Sequence, residues 1–257
     1  MGTSVNLDRR SAVLTLLTAA LGSVAVRPAS AARRGWEAID LGVTWSGLTV
    51  AAVRLTTETR GAVLNSALEI DSRGIAALVT DWGGTMRSTA RDLVPVRYEA
   101  HYASRRYTRD IVIHYDGSGA VAALDIKKRG EPQKLPFPIE LAEGTVDPLI
   151  AIARLRRWIA GMPDQPRVER VFDGRTRYDI HARPLETAGR ARLEIKPIAG
   201  ASKSSWLRHW EPDDGRWIEA RLSDDGHAVP QALVPRGADV SSRIDLTSAC
   251  RDDRCRA

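Results

Sequence analysis

Apolar and polar residues alternate with a period of two over much of the chain. Val94, Val96, Tyr98, Ala100 and Tyr102 share one parity, while Pro95, Arg97, Glu99 and His101 take the other. That is the signature of a strand with one buried face. Ala62, Leu64, Ser66, Leu68 and Ile70 repeat it, as do Ile111, Ile113 and Tyr115, and Ala191, Leu193 and Ile195. Turn residues separate the runs at Arg60-Gly61, Asp71-Ser72-Arg73-Gly74, Asp116-Gly117-Ser118-Gly119, Asp173-Gly174, Asp214-Gly215 and Asp225-Gly226. Asp-Gly pairs supply the positive φ of tight hairpin turns. The pattern predicts an antiparallel meander.

One segment breaks the period. From Asp147 to Gly161, Leu149, Ile152, Leu155 and Ile159 follow helical spacing, Asp147 is placed to cap, Pro148 suits the first helical position, and Gly161 and Pro163 end the run. Arg154, Arg156 and Arg157 lie toward the C-terminal half, where the macrodipole favours cations. A proline-rich crossing from Pro132 to Pro138 precedes the helix. An antiparallel sheet of this length has to curl or close to manage its edges. The expected fold is therefore mainly β: an antiparallel, strongly curved sheet or open barrel wrapped around one central α-helix at about 147–161.

The N-terminus changes the picture of compartment. Arg9-Arg10 precedes an apolar run from Ala12 to Val26, and Ala29-Ser30-Ala31 fits a small-x-small cleavage site. This order reads as a signal peptide over residues 1–31, and the run is too short to span a bilayer of roughly 30 Å. Asp8 to Leu14 also suits a twin-arginine signal, although the usual Phe is missing; an ordinary secretory leader with two arginines is the other reading. Residues 32–248 then form a single β-rich domain, and 249–257 a polar tail holding both cysteines, Cys250 and Cys255. An oxidising compartment favours a disulfide between them, a small terminal staple; free thiols or intermolecular pairing are the other readings.

Composition adds exclusions. The hydrophobic fraction of 43% is enough for a core. The net charge of +6 is scattered rather than concentrated in a stripe, so no nucleic-acid partner is expected. No segment after the leader is apolar for long enough to cross a membrane.

The stretch VDPLIAIARLRRWIAG, followed by ERVFDGRTRYDI, resembles the exported proteins grouped as the DUF3108 family. The shared features are the Asp-Pro helix start, Val-Phe-Asp-Gly-Arg, and an aromatic in the return strand, here Tyr178. Trp45–Leu55 is similar to the family's opening strands, and Asp224–Leu233 to its last Pro-containing strand. The resemblance spans about residues 36–235 and implies a periplasmic β-rich protein without assigned chemistry. Envelope carriers of the LolA type share the outline of a curved sheet around helices, an analogy of fold that does not license function.

Candidate chemistry is sparse. His101, His114, His181, His209 and His227 show no metal spacing. Asp213-Asp214 and Asp224-Asp225 sit in turns, and no GxSxG elbow frames a serine. No catalytic, cofactor or metal residue is expected. Phe172-Asp173-Gly174-Arg175 reads either as a ligand site beside the helix or as a tight hairpin with Phe172 as core anchor; turn chemistry alone accounts for it. Trp206 and Trp210 share parity with Arg208 and read either as an aromatic platform for a sugar or acyl chain, or as core and cross-strand packing. These two, with Phe172, Asp173, Arg175, Tyr178 and Trp158, are the candidate ligand-lining residues. Arg105-Arg106 with Arg109, and Lys127-Lys128-Arg129, read as protective charge near strand ends or as contacts for anionic groups. The functional expectation is a non-catalytic periplasmic envelope protein binding a lipid, an acyl chain or an envelope protein. The alternatives are an enzyme acting on cell-wall or lipid substrates and a structural interaction module.

Overall fold

The structure is a computed structural model and describes residues 34–74, 77, 82–105, 107–161, 164–201, 215–223, 229–236 and 242–251. Eight strands come first: β1 (Arg34–Trp45), β2 (Leu48–Arg60), β3 (Val63–Ser72), β4 (Trp82–Arg91), β5 (Val94–Ser104), β6 (Tyr107–Tyr115), β7 (Val121–Lys128) and the two-residue β8 (Glu131–Pro132). A 3-10 turn (Ile139–Ala142) leads into the helix α1 (Pro148–Ala160). Six strands follow: β9 (Arg167–Phe172), β10 (Arg177–Pro184), β11 (Arg190–Ala199), β12 (Trp217–Leu222), β13 (Pro230–Arg236) and β14 (Ser242–Arg251). All belong to one antiparallel sheet in the order β8-β7-β6-β5-β4-β3-β2-β1-β14-β13-β12-β11-β10-β9. The two halves flanking the helix are thus joined through β1 and β14. The edges, β8 and β9, do not pair with each other. Val146, just before α1, covers part of the β9 edge: its N–H donates to the Arg170 carbonyl and its carbonyl accepts from Phe172 N–H.

Helix α1 occupies the concave side. Asp147 caps it and Pro148 takes the first position, as the sequence predicts. Leu149, Ile150, Ala151, Ile152, Ala153, Leu155, Arg156 and Ile159 are all buried. Residues 148–153 are buried without a break and point in every direction, so the first turns of α1 are enclosed, while Arg154, Arg157 and Trp158 leave one face of its C-terminal half open. It touches β3 and β4 as well as β9 and β12, which lie far apart in the strand order. A sheet reaching one helix from both halves has to curl around it.

Polar anchors fix its depth. The Arg156 guanidinium, 1% exposed, donates twice to Glu37 Oε2 of β1 at 3.1 Å. Glu37 Oε1 accepts from Arg251 of β14 at 2.7 Å. One carboxylate therefore ties the helix to the strand pair that joins the two halves. Burial draws the Arg156 guanidinium down to about 9, against the pull of Glu37, and leaves it charged at neutral pH. Arg154 donates from Nε and Nη2 to the Leu93 carbonyl in the β4–β5 turn at 3.0 and 2.7 Å. Asp92 and Leu93 both hold positive φ there, a costly conformation for these residues, and no glycine announced the turn in the sequence.

Inward positions follow the predicted parity in β3, β6 and β11. In β5 they depart from it. Thr89 pairs with Arg97 but Ala90 pairs with Pro95, so Val96 is the extra residue of a bulge. Val96 is 44% exposed and Pro95 is buried, reversing the expected faces before Tyr98. Pro95 lacks the N–H that regular pairing would use. At the C-terminus, β14 runs to Arg251, so Ala249, Cys250 and Arg251 of the expected tail belong to the sheet. Cys250 lies opposite Ala38; Cys255 falls outside the described residues.

Truncating Arg156 to Ala leaves Glu37 buried without its main partner. Urea denaturation is expected to show a loss of about 3–5 kcal/mol. A double Arg156→Met, Glu37→Gln variant is expected to recover most of it, because neither buried charge remains.

Candidate functional site

Helix α1 fills one end of the concave side. Its N-terminus meets the middle of β4 through Ser88, and its C-terminal half reaches the β4–β5 turn and the start of β1. The opposite end is lined by the last inward residue of β1, the first of β4, and the facing ends of β5 and β6. Trp45, Trp82 and Tyr102 are partly buried there against the core. Gly84 makes room for Tyr102: a Cβ at Gly84 would lie 3.0 Å from the Tyr102 ring and 2.9 Å from the His101 carbonyl. A shallow cleft of about 330 Å³ adjoins this end, lined by Asp71, Ser72, Trp82, Gly83, Ala103, Ser104 and Arg105.

The β9–β10 turn folds into the same space. Asp173 Oδ1 accepts from Arg175 N–H at 2.8 Å and Thr176 N–H at 2.7 Å. Gly174 holds φ +91°, and a Cβ there would lie 2.3 Å from Ile111 Cγ2. The turn therefore rests directly on the inner face of β6. Phe172, fully buried, packs edge-on to Phe137 with ring centroids 6.0 Å apart; it anchors the turn from behind.

The floor between turn and helix is polar. Asp147 Oδ1 accepts from Leu149 and Ile150 N–H at 2.9 and 3.1 Å, and its Oδ2 accepts from Ser88 Oγ at 2.8 Å. Burial nevertheless raises Asp147 to about 6, the hydrogen bonds opposing it. Burial also raises Asp173. Tyr98, across from Ser88, and Tyr115 and Tyr178 are buried; the hydroxyls of Tyr115 and Tyr178 have no hydrogen-bond partner, while that of Tyr98 faces the Tyr102 hydroxyl. Burial holds all three above the ordinary tyrosine range, and the negative charge of Asp147 and Asp173 adds to it. At neutral pH each is a phenol with an O–H to donate. Arg109 shares the inward parity of Ile111, Ile113 and Tyr115; its Nε is also without a partner, while its guanidinium lies 5.3 Å from the Tyr107 ring centroid. Burial and then the neighbouring Arg175 lower the Arg109 guanidinium. Buried polar atoms normally find partners, so three orphaned donors around one space, the Tyr115 and Tyr178 hydroxyls and Arg109 Nε, mark it out. A further buried orphan, His181 Nε2, sits on the outward parity of β10.

The structure brings together three of the sequence candidates, Asp173, Arg175 and Tyr178. It does not bring Trp158, which lies eleven residues along α1 from Asp147, about 16 Å by helical rise. Phe172 supports the site without lining it. Trp206 and Trp210 lie outside the described residues. Sequence reasoning placed Tyr98 and Tyr102 on a buried strand face without a role, and took Arg109 as strand-end charge. The available signal was that inward tyrosines need a partner and that Arg109 has the parity of Ile111. His101 and His114 both face solvent and do not meet: His101 Nδ1 lies 2.6 Å from Asp110, and His114 pairs with Arg97. Among the described residues no three His, Cys, Asp or Glu side chains gather as a metal site, and no helix is long and apolar enough to cross a membrane.

Fold and site define a curled antiparallel sheet that encloses a helix at one end and a polar-floored space at the other. A crystal structure from Brucella abortus, described as a beta-barrel-like protein of domain of unknown function DUF1849, shares this fold. The two superpose with a TM-score of 0.53 at 10% identity, over 87% of this chain and 100% of that one. The chain itself belongs to the DUF3108 family, described as a protein of unknown function, which matches residues 42–231. No curated protein matches it in sequence.

Asp147→Asn keeps a capping oxygen and removes the buried charge. Because Asp147 ionises near 6 in the fold and near its ordinary value when unfolded, the wild type loses stability as pH rises between those values. The Asn variant is expected to gain on the wild type from pH 4 to 6.5, by at most about 3 kcal/mol. Thermal melts across that range check this; a constant difference counts against the charge being buried. Gly174→Ala is expected to lower the melting temperature, since both its φ and Ile111 oppose a side chain.

Proposed function

We propose that this chain is a non-catalytic binding protein of the cell envelope, taking a lipid or acyl chain at the end of the curled sheet that α1 leaves open. The observation that carries the reading is the pair of buried, unpartnered hydroxyls of Tyr115 and Tyr178, with Arg109 Nε, on the same inner face as the partly buried aromatic residues Trp45, Trp82 and Tyr102. Aromatic walls suit an apolar tail, and orphaned donors suit a polar head; ligand sites combine mostly apolar linings with a few placed polar groups. The open-barrel, LolA-type outline accompanies this reading as an analogy of fold. So do export to the periplasm by a leader cleaved near Ala31 and a Cys250–Cys255 staple at the end of β14.

Native mass spectrometry of the mature protein taken from its native envelope tests the proposal. A near-stoichiometric adduct, removed by lipid extraction, is the expected result, along with a changed tryptophan emission when 1-dodecanol or dodecanoate is added to the stripped protein. A bare mass and unchanged emission overturn it. The N-terminal sequence of the same material is expected to begin near Ala32.

A further inference from the structure

Most arginines on the outward face are matched with carboxylates, many of them two residues away on the same strand. Arg97 pairs with Glu99, Arg177 with Asp179, Arg192 with Glu194, Arg221 with Glu219 and Arg243 with Asp245. Even Arg156, in the core, has Glu37. Arg109 and Arg175 differ. Both are partly buried, and neither guanidinium forms an ion pair among the described residues. They are also neighbours. Arg109 points inward two residues from Ile111, and Gly174, adjacent to Arg175, presses on Ile111. Asp173 lies in the same turn but spends its Oδ1 on the backbone of Arg175 and Thr176 rather than on a guanidinium. The hydroxyl of Tyr178, fully buried in β10 and three residues along the chain from Arg175, has no hydrogen-bond partner.

We propose that Arg109 and Arg175, with the Tyr178 hydroxyl, form an oxyanion subsite that holds a carboxylate or phosphate group. Two neighbouring cations there share one buried carboxylate, Asp173, and an unpartnered O–H donor follows three residues after Arg175. A guanidinium is the side chain best suited to paired hydrogen bonds with such groups. The subsite deepens the reading given above, on which the ligand's apolar tail rests: it makes the head group an anion. The same chemistry belongs to a fatty acid, a phospholipid-like monoester or a free inorganic anion.

Calorimetric titration of the purified, delipidated mature protein with dodecanoate, dodecyl phosphate, 1-dodecanol and inorganic phosphate separates these sources. The two anionic amphiphiles are expected to bind at least about tenfold more tightly than dodecanol, a difference of about 1.4 kcal/mol. Arg109→Gln and Arg175→Gln are expected to erase that difference, weakening the two anionic amphiphiles by at least about tenfold more than dodecanol; Arg109→Lys is expected to keep part of it. Near-UV circular dichroism checks that each variant is folded, which removal of an unpaired charge favours. Equal affinity for dodecanol and the anions, unaffected by the variants, overturns the subsite but leaves amphiphile binding intact. Phosphate binding lost in both Gln variants, without any amphiphile binding, upholds the subsite and overturns the lipid reading. No binding of any of the four overturns both.

Discussion

The structure depends on the enclosure of α1. A helix whose first turns are apolar on every side has to be surrounded there, and a single antiparallel sheet can surround it only by curling. The chain order supports this. The helix lies between β8 and β9, the two edges of the sheet, while β1 and β14 pair and make the two halves continuous. Val146 then covers part of the β9 edge on its way into the helix. Edge strands are hazards when left open, and here the segment that enters the core also shields one of them.

Enclosure brings polar groups inside with the helix, and each end is handled differently. Along the helix, Arg156 finds Glu37, and Arg154 finds the Leu93 carbonyl and, at 3.5 Å, Glu169. These contacts set the depth and rotation of α1. At its N-terminus Asp147 satisfies two backbone N–H groups and Ser88. Beyond Asp147 the matching stops, and the hydroxyls of Tyr115 and Tyr178 and the Arg109 Nε remain without hydrogen-bond partners. An unmet buried donor is destabilising by about 1–3 kcal/mol. Apart from His181 Nε2, the buried side-chain donors left open among the described residues gather in this one space, and the proposed binding role rests on that clustering.

The outer surface makes the contrast clear. Arg and Glu or Asp spaced by two residues fall on the same face of a strand, so pairs such as Arg192–Glu194 form locally. Glu219 collects Arg190, Arg221 and Arg236 from three strands and is held down to about 2. Exposed pairs of this sort add little stability, typically 0–1 kcal/mol each. Their presence nevertheless keeps outward charge neutralised, while Arg109 and Arg175 form no direct ion pair and have only the buried Asp173 carboxylate near them.

The sequence by itself determined the local elements. Alternation gave the strands, because side chains change face at every residue, and the Asp147-Pro148 start with Gly161 gave the helix almost to the residue, because capping is a local interaction. The Asp173 turn was legible for the same reason. The β5 bulge at Val96 and the glycine-free turn at Asp92-Leu93 were not, since one depends on the register of a neighbouring strand and the other on Arg154 from a distant helix. The joining of the two halves through β1 and β14, and the meeting of Arg109, Arg175 and Tyr178, were decided only by tertiary structure. These residues come from β6, the β9–β10 turn and β10, and nothing in their spacing records that the sheet curls far enough to set Gly174 against Ile111.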